Sequence, residues 1–438
     1  MAGEWPAVAL ERLLSEPVRN GIYKKKELHG RGAKIVNMGE LFAHPRLRAV
    51  PMKRVELNES EASRFLLAEG DLIFARRSLT AEGAGKCSVV LELDEATTFE
   101  SSIIRARPDT AKAEPLYLYY FFNSPSGLHL LDTIRRQVAV AGITGSDLAK
   151  LEVPLPSLSE QRAIAHILGT LDDKTELNRR RNETLEAMAR ALFQDWFVDF
   201  GPVRAKMEGH EPYLPANLWE LFPDRFDAEG NPEGWVMKPL SDLFALVGGG
   251  TPKTSMAECW DGGIPWFSVV DTPASGDVFV TATKKTITEL GLANSSARLV
   301  CKGTTIISAR GTVGNLAIAG TDMTFNQSCY GLRGVEGVGD YFVYLTAKNM
   351  VDQLRSMAHG SVFSTITRQT FDAIQRPVPS LTAIAAFEHA VTGWFDAILL
   401  SVQQTETLAG MRDTLLPKLI TGELRVKDAE HFMERTGA

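Results

Sequence analysis

At 438 residues the chain is long enough for roughly two to four domains, and its 44% hydrophobic and 23% charged content is that of a soluble globular protein. It has no run of 18 apolar residues and no charged-then-apolar leader, so a cytoplasmic protein away from membranes is expected. A net charge of −7 at first weighs against a nucleic-acid partner. The distribution of that charge removes the objection. Residues 1–158 carry 21 Lys+Arg against 20 Asp+Glu, and residues 235–380 carry 12 against 11. The deficit sits in residues 159–234, with 9 against 15, and in residues 381–438, with 5 against 8. Two blocks can therefore present basic faces while the intervening segments stay acidic. Cys87, Cys259, Cys301 and Cys329 lie far apart with no C-x-x-C pair, which fits reduced, mostly buried thiols better than zinc or disulfides.

Block one opens at Trp5-Pro-Ala-Val-Ala-Leu10. Short strand-like runs follow at Lys34–Gly39, Asp71–Ala75 and Ser88–Leu91, and the stretch from Pro115 towards Arg135 and Arg136 reads as helical. Trp235-Val-Met-Lys-Pro-Leu240 opens a second block of the same order, with strands expected at Thr305–Ala309 and Leu316–Ala319 and a helix from Tyr341. Both blocks close on an Ile-Thr pair, Ile143-Thr144 and Ile366-Thr367, displaced by 223 residues. Each block is α+β, with sheet first and helices late.

The same displacement relates two long polar–apolar runs. Pro154, Pro156 and Leu158 match Pro377, Pro379 and Leu381, and Glu183-Thr-Leu185 matches Glu406-Thr-Leu408. The chain is thus a two-copy protein. In the first run Ile164, Leu168, Leu171, Thr175, Asn178, Asn182, Leu185, Ala189, Leu192 and Trp196 step by fours and threes. Phe387, Val391, Trp394, Ile398, Ser401, Thr405, Leu408, Arg412, Leu415 and Leu419 are their counterparts. That spacing predicts two long helices paired as a coiled coil, apolar at both ends and polar in the middle, with Ser159 and Thr382 as N-caps. The expected division is 1–157 for block one, 158–200 for the first helix, 201–234 for a linker, 235–380 for block two, 381–424 for the second helix and 425–438 for a loosely held tail.

The clearest candidate chemistry is a pair of glycine-led strands ending in arginine. Gly70–Arg76 continues into Arg77, Ser78 and, further on, Lys86; Gly303–Arg310 continues into Gly311 and Thr312. Arginine at a strand end beside amide-rich loops can contact phosphates or guanine edges, and Arg76 and Arg310 are taken as counterparts. Lys24, Lys25 and Lys26 form a basic run suited to DNA. Gly248-Gly-Gly-Thr-Pro-Lys253 is not a P-loop, because the Gly-Lys-Ser/Thr ending is missing, and it reads as a turn at a strand end. No methyltransferase, Walker or zinc-ligand motif is legible, and His44, His166 and His389 stand in no catalytic spacing. Nothing here reads as an active site.

Gly249-Gly-Thr-Pro-Lys253, Trp260, Gly263-Ile-Pro-Trp266, Arg310-Gly-Thr-Val-Gly314, Asn326-Gln327 and Pro154-Leu-Pro-Ser-Leu-Ser-Glu-Gln-Arg162 together carry a family resemblance. The chain resembles the specificity (S) subunit of type I restriction–modification enzymes over essentially its whole length. The resemblance implies two target recognition domains, each reading half of a split site on double-stranded DNA, and two helical spacers that pair antiparallel and dock modification subunits, two of them in the expected assembly. It also implies a non-catalytic chain that binds no cofactor. S-adenosylmethionine, ATP and magnesium belong to the modification subunits and the restriction (motor-nuclease) subunits. DNA-binding positions are then expected at Lys24, Lys25, Lys26, Arg76, Arg77, Ser78, Lys86, Lys253, Arg310, Gly311 and Thr312, and subunit-docking positions at Glu160, Gln161, Arg162 and Arg180. Block one lacks the Gly-Gly-Thr-Pro and Ile-Pro-Trp features, so its half-site should differ; the second helix has Ala383-Ile-Ala385 in place of Glu160-Gln-Arg162, so its docking surface should be altered. A specificity adaptor of a methylation-only system and a coiled-coil assembly scaffold are the alternatives.

A helix of about 38 residues spans roughly 57 Å, or roughly 17 base pairs at 3.4 Å per step. Inserting four residues into one helical spacer is therefore expected to change the preferred gap between half-sites and leave both half-sites intact. Methylated motifs read by sequencing check this, and an unchanged gap would refute the ruler.

Overall fold

A computed structural model describes residues 5–80, 82–136, 141–273, 276–335, 337–359 and 365–429. The chain divides into two compact units, Met1–Lys174 with Thr407–Ala438, and Thr175–Glu406. Each unit holds one block and part of both long helices.

In the first unit a five-stranded sheet runs in the order Leu14–Asn20, Ile103–Pro108, Leu72–Ala75, Cys87–Val90, Arg46–Leu47. The second unit has the same order: Phe244–Gly248, Cys329–Gly334, Thr305–Ser308, Leu316–Ala319, Phe279–Val280. In both sheets all pairings are antiparallel except at the last strand, which is parallel. A three-stranded sheet accompanies each, with His29–Val36 between Lys53–Val55 and Thr97–Phe99, and Trp260–Phe267 between Thr286–Ile287 and Thr324–Phe325. Even the irregularity repeats. The register slips between His29 and Ala33 opposite Val55, and between Trp260 and Ile264 opposite Ile287.

The helices late in each block also correspond. The stretch from Pro115 forms two helices, Pro115–Asn123 and Pro125–Ile134, because Ser124 ends the first and its hydroxyl caps the second. Asp340–Asn349 and Val351–His359 take their place in the second unit. Thr144 and Thr367 each sit at the N-cap of a short helix, Gly145–Ala149 and Arg368–Asp372.

The long helices are Leu158–Phe197 and Leu381–Ile420, 40 residues each. Their caps lie two residues earlier than expected. Ser157 Oγ accepts from Glu160 N at 3.3 Å and Ser380 Oγ from Ala383 N at 3.2 Å, so Ser159 and Thr382 are already inside the first turn. Within the second unit Asn178 Nδ2 donates to Ser401 O, Gln404 Oε1 and Thr405 Oγ1 at 3.0–3.4 Å, while Phe193, Trp196 and Phe197 pack on the Phe387 ring. Within the first unit Arg412 Nη1 reaches Asp172 at 3.0 Å. Residue numbers rise along one helix as they fall along the other, so the pair is antiparallel.

The apolar ends of the helices do more than face each other. Ile164, Leu168 and Leu171 join Leu408, Leu415 and Leu419 in one core with Tyr117, Leu118, Phe121 and Phe122 of block one. Ala189, Phe193 and Trp196 join Phe387, Val391 and Ile398 with Phe342, Tyr344 and Leu345 of block two. An 18-residue window of the second helix reaches a mean hydropathy of 1.3, long and apolar enough by composition to cross a membrane. Its side chains Phe387, Val391, Phe395, Ile398 and Leu399 are buried in this core. The segment expected to be a linker is structured too: it forms the helices Gly201–Met207 and Ala216–Trp219 and buries Val203 and Phe222 in the same core. Of the segment expected to be a tail, residues 430–438 lie outside the described residues.

Two glycines fix where each block's first strand leaves its sheet. A Cβ on Gly21 would run into the carbonyl oxygens of Phe99 and Glu100, and a Cβ on Gly249 into Asn326 O and the Phe325 ring. Gly21→Ala and Gly249→Ala are each expected to cost about 1–3 kcal/mol through overpacking against backbone. Both should lower the thermal midpoint by similar amounts, and two midpoints at the wild-type value would show that neither approach is tight.

Candidate nucleic-acid interface

In block two, three loops meet at one end of the large sheet. The chain leaving Phe244–Gly248 pairs Gly250 N with Phe325 O at 2.9 Å, and Trp266 Nε1 donates to Gly250 O at 2.9 Å. Thr251 hydrogen-bonds Gln327 through their side chains. Ala309 N donates to Ser328 O at 2.7 Å, so Arg310-Gly-Thr312 lies beside Asn326-Gln-Ser328. The Arg310 loop is itself braced by Ser308, whose hydroxyl donates to Thr312 O and accepts from Asn315 N at 2.8 Å. Gly311 adopts φ +73°, a left-handed conformation open to glycine without strain. Lys253, Arg310, Gly311 and Thr312 are all exposed around this cluster.

Block one builds the same cluster from different residues. Gly21 N donates to Ile103 O and Ile22 N to Phe99 O, each at 2.9 Å, which puts Ile22 in the place of Gly250 and Lys25 in the place of Lys253. Arg76 N donates to Ser102 O at 2.8 Å, as Ala309 N does to Ser328 O. The Gly-Gly-Thr-Pro role is therefore present in block one, carried by Gly21-Ile-Tyr-Lys24, although its letters are not.

This register corrects one pairing. Leu72 faces Ala106 and Ala75 faces Ile103, while Thr305 faces Leu332 and Ser308 faces Cys329. Arg76 thus corresponds to Ala309, and Arg77 to Arg310. Ile143 N donates to Arg76 O and Ile366 N to Ala309 O, both at 3.0 Å, in agreement. Strand side chains alternate between faces, so a slip of one residue exchanges inside for outside. Arg76 is half-buried, its Nη1 3.4 Å from Ser101 O, whereas Arg77 and Arg310 are exposed and make no side-chain hydrogen bond or ion pair among the described residues. The signal is present in the sequence: Gly70 to Gly303 and Arg77 to Arg310 are both displacements of 233.

The remaining expected positions divide. Lys25 and Lys26 are exposed, but Lys24 is tied to Glu61 in an ion pair that holds the Glu61 carboxyl below its usual range. Ser78 turns inward, its Oγ accepting from Thr80 N at 3.2 Å, and Lys86 lies over the Phe42 ring at 5.2 Å. Among the docking positions, Arg162 and Arg180 are more than half exposed, Arg180 with Nε 2.8 Å from Glu176. Glu160 pairs with Arg425 at 3.1 Å. Gln161 belongs to the interior: it is 1% exposed, accepts from Glu114 N and donates to Pro156 O, each at 2.9 Å. Its counterpart Ile384 is buried as well, so this position faces inward in both copies.

Arg77→Ala and Arg310→Ala are each expected to relax reading of one half-site, by about 1–3 kcal/mol at the affected base. Arg76→Ala should leave the sequence profile unchanged. Competition binding with single-base duplex variants separates them, and a wild-type profile for Arg77→Ala would remove that residue from the interface.

The sequence pattern of the type I restriction modification DNA specificity domain matches residues 16–187 and again residues 232–387. The chain is 27% identical over 367 residues to the type I restriction enzyme HindI specificity subunit of Haemophilus influenzae, covering 74% of this chain and 80% of that one. It is 23% identical over 429 residues to the putative type I restriction enzyme MjaX specificity subunit of Methanocaldococcus jannaschii, covering 97% and 94%. In fold it is similar to the type I restriction–modification S subunit from M. genitalium, with a TM-score of 0.57, 15% identity, and 95% and 96% of the two chains covered. With two matched domains, each carrying an exposed strand-end arginine in one repeated three-loop cluster, the chain belongs to the family of type I restriction–modification specificity subunits.

Proposed function

We propose that the chain is the DNA-reading subunit of a type I restriction–modification complex. Each block reads one half of an asymmetric, interrupted site, and partner subunits carry out adenine methylation and cleavage. The observation that carries this reading is the repeated cluster itself: Lys25 and Arg77 in block one, Lys253 and Arg310 in block two, each on loops held by the same backbone hydrogen bonds. Such a scaffold positions cations for phosphates and guanidinium groups for guanine edges, while its neighbours differ enough to read different sequences. Tyr23 stands where block two has Thr251, and Ser101 where it has Gln327.

The long helices supply surfaces for partners. Leu177 and Leu400, displaced by 223 residues, are 66% and 67% exposed, so each copy offers the same apolar side chain at the same helical position. Two modification subunits, docking once on each copy, fit that duplication, with Arg162 and Arg180 present on the first helix and Ala385 and Gln403 in their places on the second. S-adenosylmethionine, ATP and magnesium would be held by these partners and by the restriction subunits.

Methyladenine mapping of the host genome with and without the gene is the direct test. Loss of methylation at one interrupted asymmetric motif is expected, and it delivers both half-sites and the gap. Unchanged methylation with the modification subunit expressed would refute the reading and favour an assembly scaffold; a motif lost in a host without a restriction subunit would mark a methylation-only adaptor.

A further inference from the structure

Each arginine is followed at the same offset by a second exposed side chain. Leu79 follows Arg77 by two residues, as Thr312 follows Arg310, and both are exposed. Ser78 lies between and points inward, against the site where a Cβ on Gly83 would fall. Arg77 and Ser78 form a short strand against Gly142 and Ala141, and the chain bends at Leu79, two residues past Arg77. Leu79 is 94% exposed, the most exposed large hydrophobic side chain among the described residues, and Tyr23 on the neighbouring loop is 79% exposed. Lys25 and Lys26, just after Tyr23, and Arg77, two residues before Leu79, are exposed as well, and the two loops are anchored on adjacent residues, Gly21 N on Ile103 O and Arg76 N on Ser102 O. A basic setting favours a polyanion as the occupant, and the apolar feature a DNA groove presents beside a guanine edge is the thymine C5-methyl.

Resting on the DNA-specificity reading above, we propose that Leu79 is a specificity-determining residue of block one that reads a thymine through its methyl group in the major groove. Residues two apart are separated by at most roughly 7 Å even in a fully extended chain, about two base-pair steps of 3.4 Å. The thymine therefore lies within about two steps of the base pair that Arg77 contacts. Thr312 stands at the same offset from Arg310 in block two, on a shorter loop that turns at Gly311. Its hydroxyl can donate or accept, so the two blocks differ in chemistry at this offset.

The test uses the chain assembled with its modification subunits and duplexes carrying the full site, with block one's half identified by the Arg77→Ala effect. Each thymine in that half is replaced singly by deoxyuridine, which removes only the methyl group. One replacement should weaken wild-type binding about fourfold, the worth of one buried carbon. Leu79→Ala should weaken binding to the thymine duplex to a similar degree and no longer respond to the replacement. Because Leu79 is almost fully exposed, this variant keeps the fold intact. The assignment is overturned if Leu79→Ala responds as wild type does, if no thymine is sensitive, if the half-site holds no thymine, or if the variant instead loses its modification subunits. A wild-type complex that prefers no sequence would refute the specificity reading itself; selective binding with an unaltered deoxyuridine response would refute Leu79 alone.

Discussion

Both units depend on one constraint: each long helix must bury its apolar residues twice over, against the other helix and against a block. In the first unit the helical residues 158–174 and 407–420 complete the core around Tyr117–Phe122. In the second, 175–197 and 381–406 complete the core around Phe342–Leu345. Each block also has a smaller core of its own, around Leu41, Ile73 and Phe99 in one and Phe267, Ile306 and Phe325 in the other, but its larger core includes these helical stretches. The polar residues of the seam finish the docking. Asp172 accepts from Tyr120 Oη at 2.7 Å and from Arg412, and Asp173 takes Arg46 and Arg48, each at 2.8 Å. In the second unit Glu186 accepts from Tyr344 Oη at 3.1 Å and pairs with Lys348. Burial next to these carboxylates pushes the Tyr120 and Tyr344 phenols up, so both act as neutral donors.

A scaffold of this kind leaves the reading loops free to vary. The sheet hydrogen bonds, the bulge opposite Val55 or Ile287, and the close approach at Gly21 or Gly249 are backbone events. They place few demands on exposed side chains. The loop after the central strand runs over residues 76–86 in one block and 309–315 in the other, on identical strand registers. Buried positions diverge under compensation instead. Lys34, in the place of Pro265, is 7% exposed and satisfied by Asp94 at 2.8 Å and Glu95 at 3.3 Å, which hold its ammonium charged.

Much of the site is legible in the sequence, and the positions that mislead do so for a common reason. Arg310, Gly311, Thr312 and Lys253 stand out because glycine turns and cations leave a local signature. Arg76 and Arg77 look alike in a string, while β-pairing assigns them to opposite faces. Gln161 resembles part of a docking surface beside Glu160 and Arg162, yet helical geometry turns it inward to Glu114 and Pro156. Leu79 and Tyr23 leave no sequence signal, since an exposed apolar residue is anomalous only once its exposure is known.

The sequence by itself determined the two-copy plan, the length and antiparallel-competent pattern of the helices, and the polar middle of their seam. Those properties follow from periodicity and repetition, which are written along the chain. Tertiary structure decided which helical stretch closes which block, which arginine faces outward, and which residues of block one stand in for Gly-Gly-Thr-Pro-Lys. Those depend on hydrogen-bond registers between residues far apart in the chain, such as Gly21 with Ile103 and Arg76 with Ser102. A one-residue shift there inverts every side chain that follows.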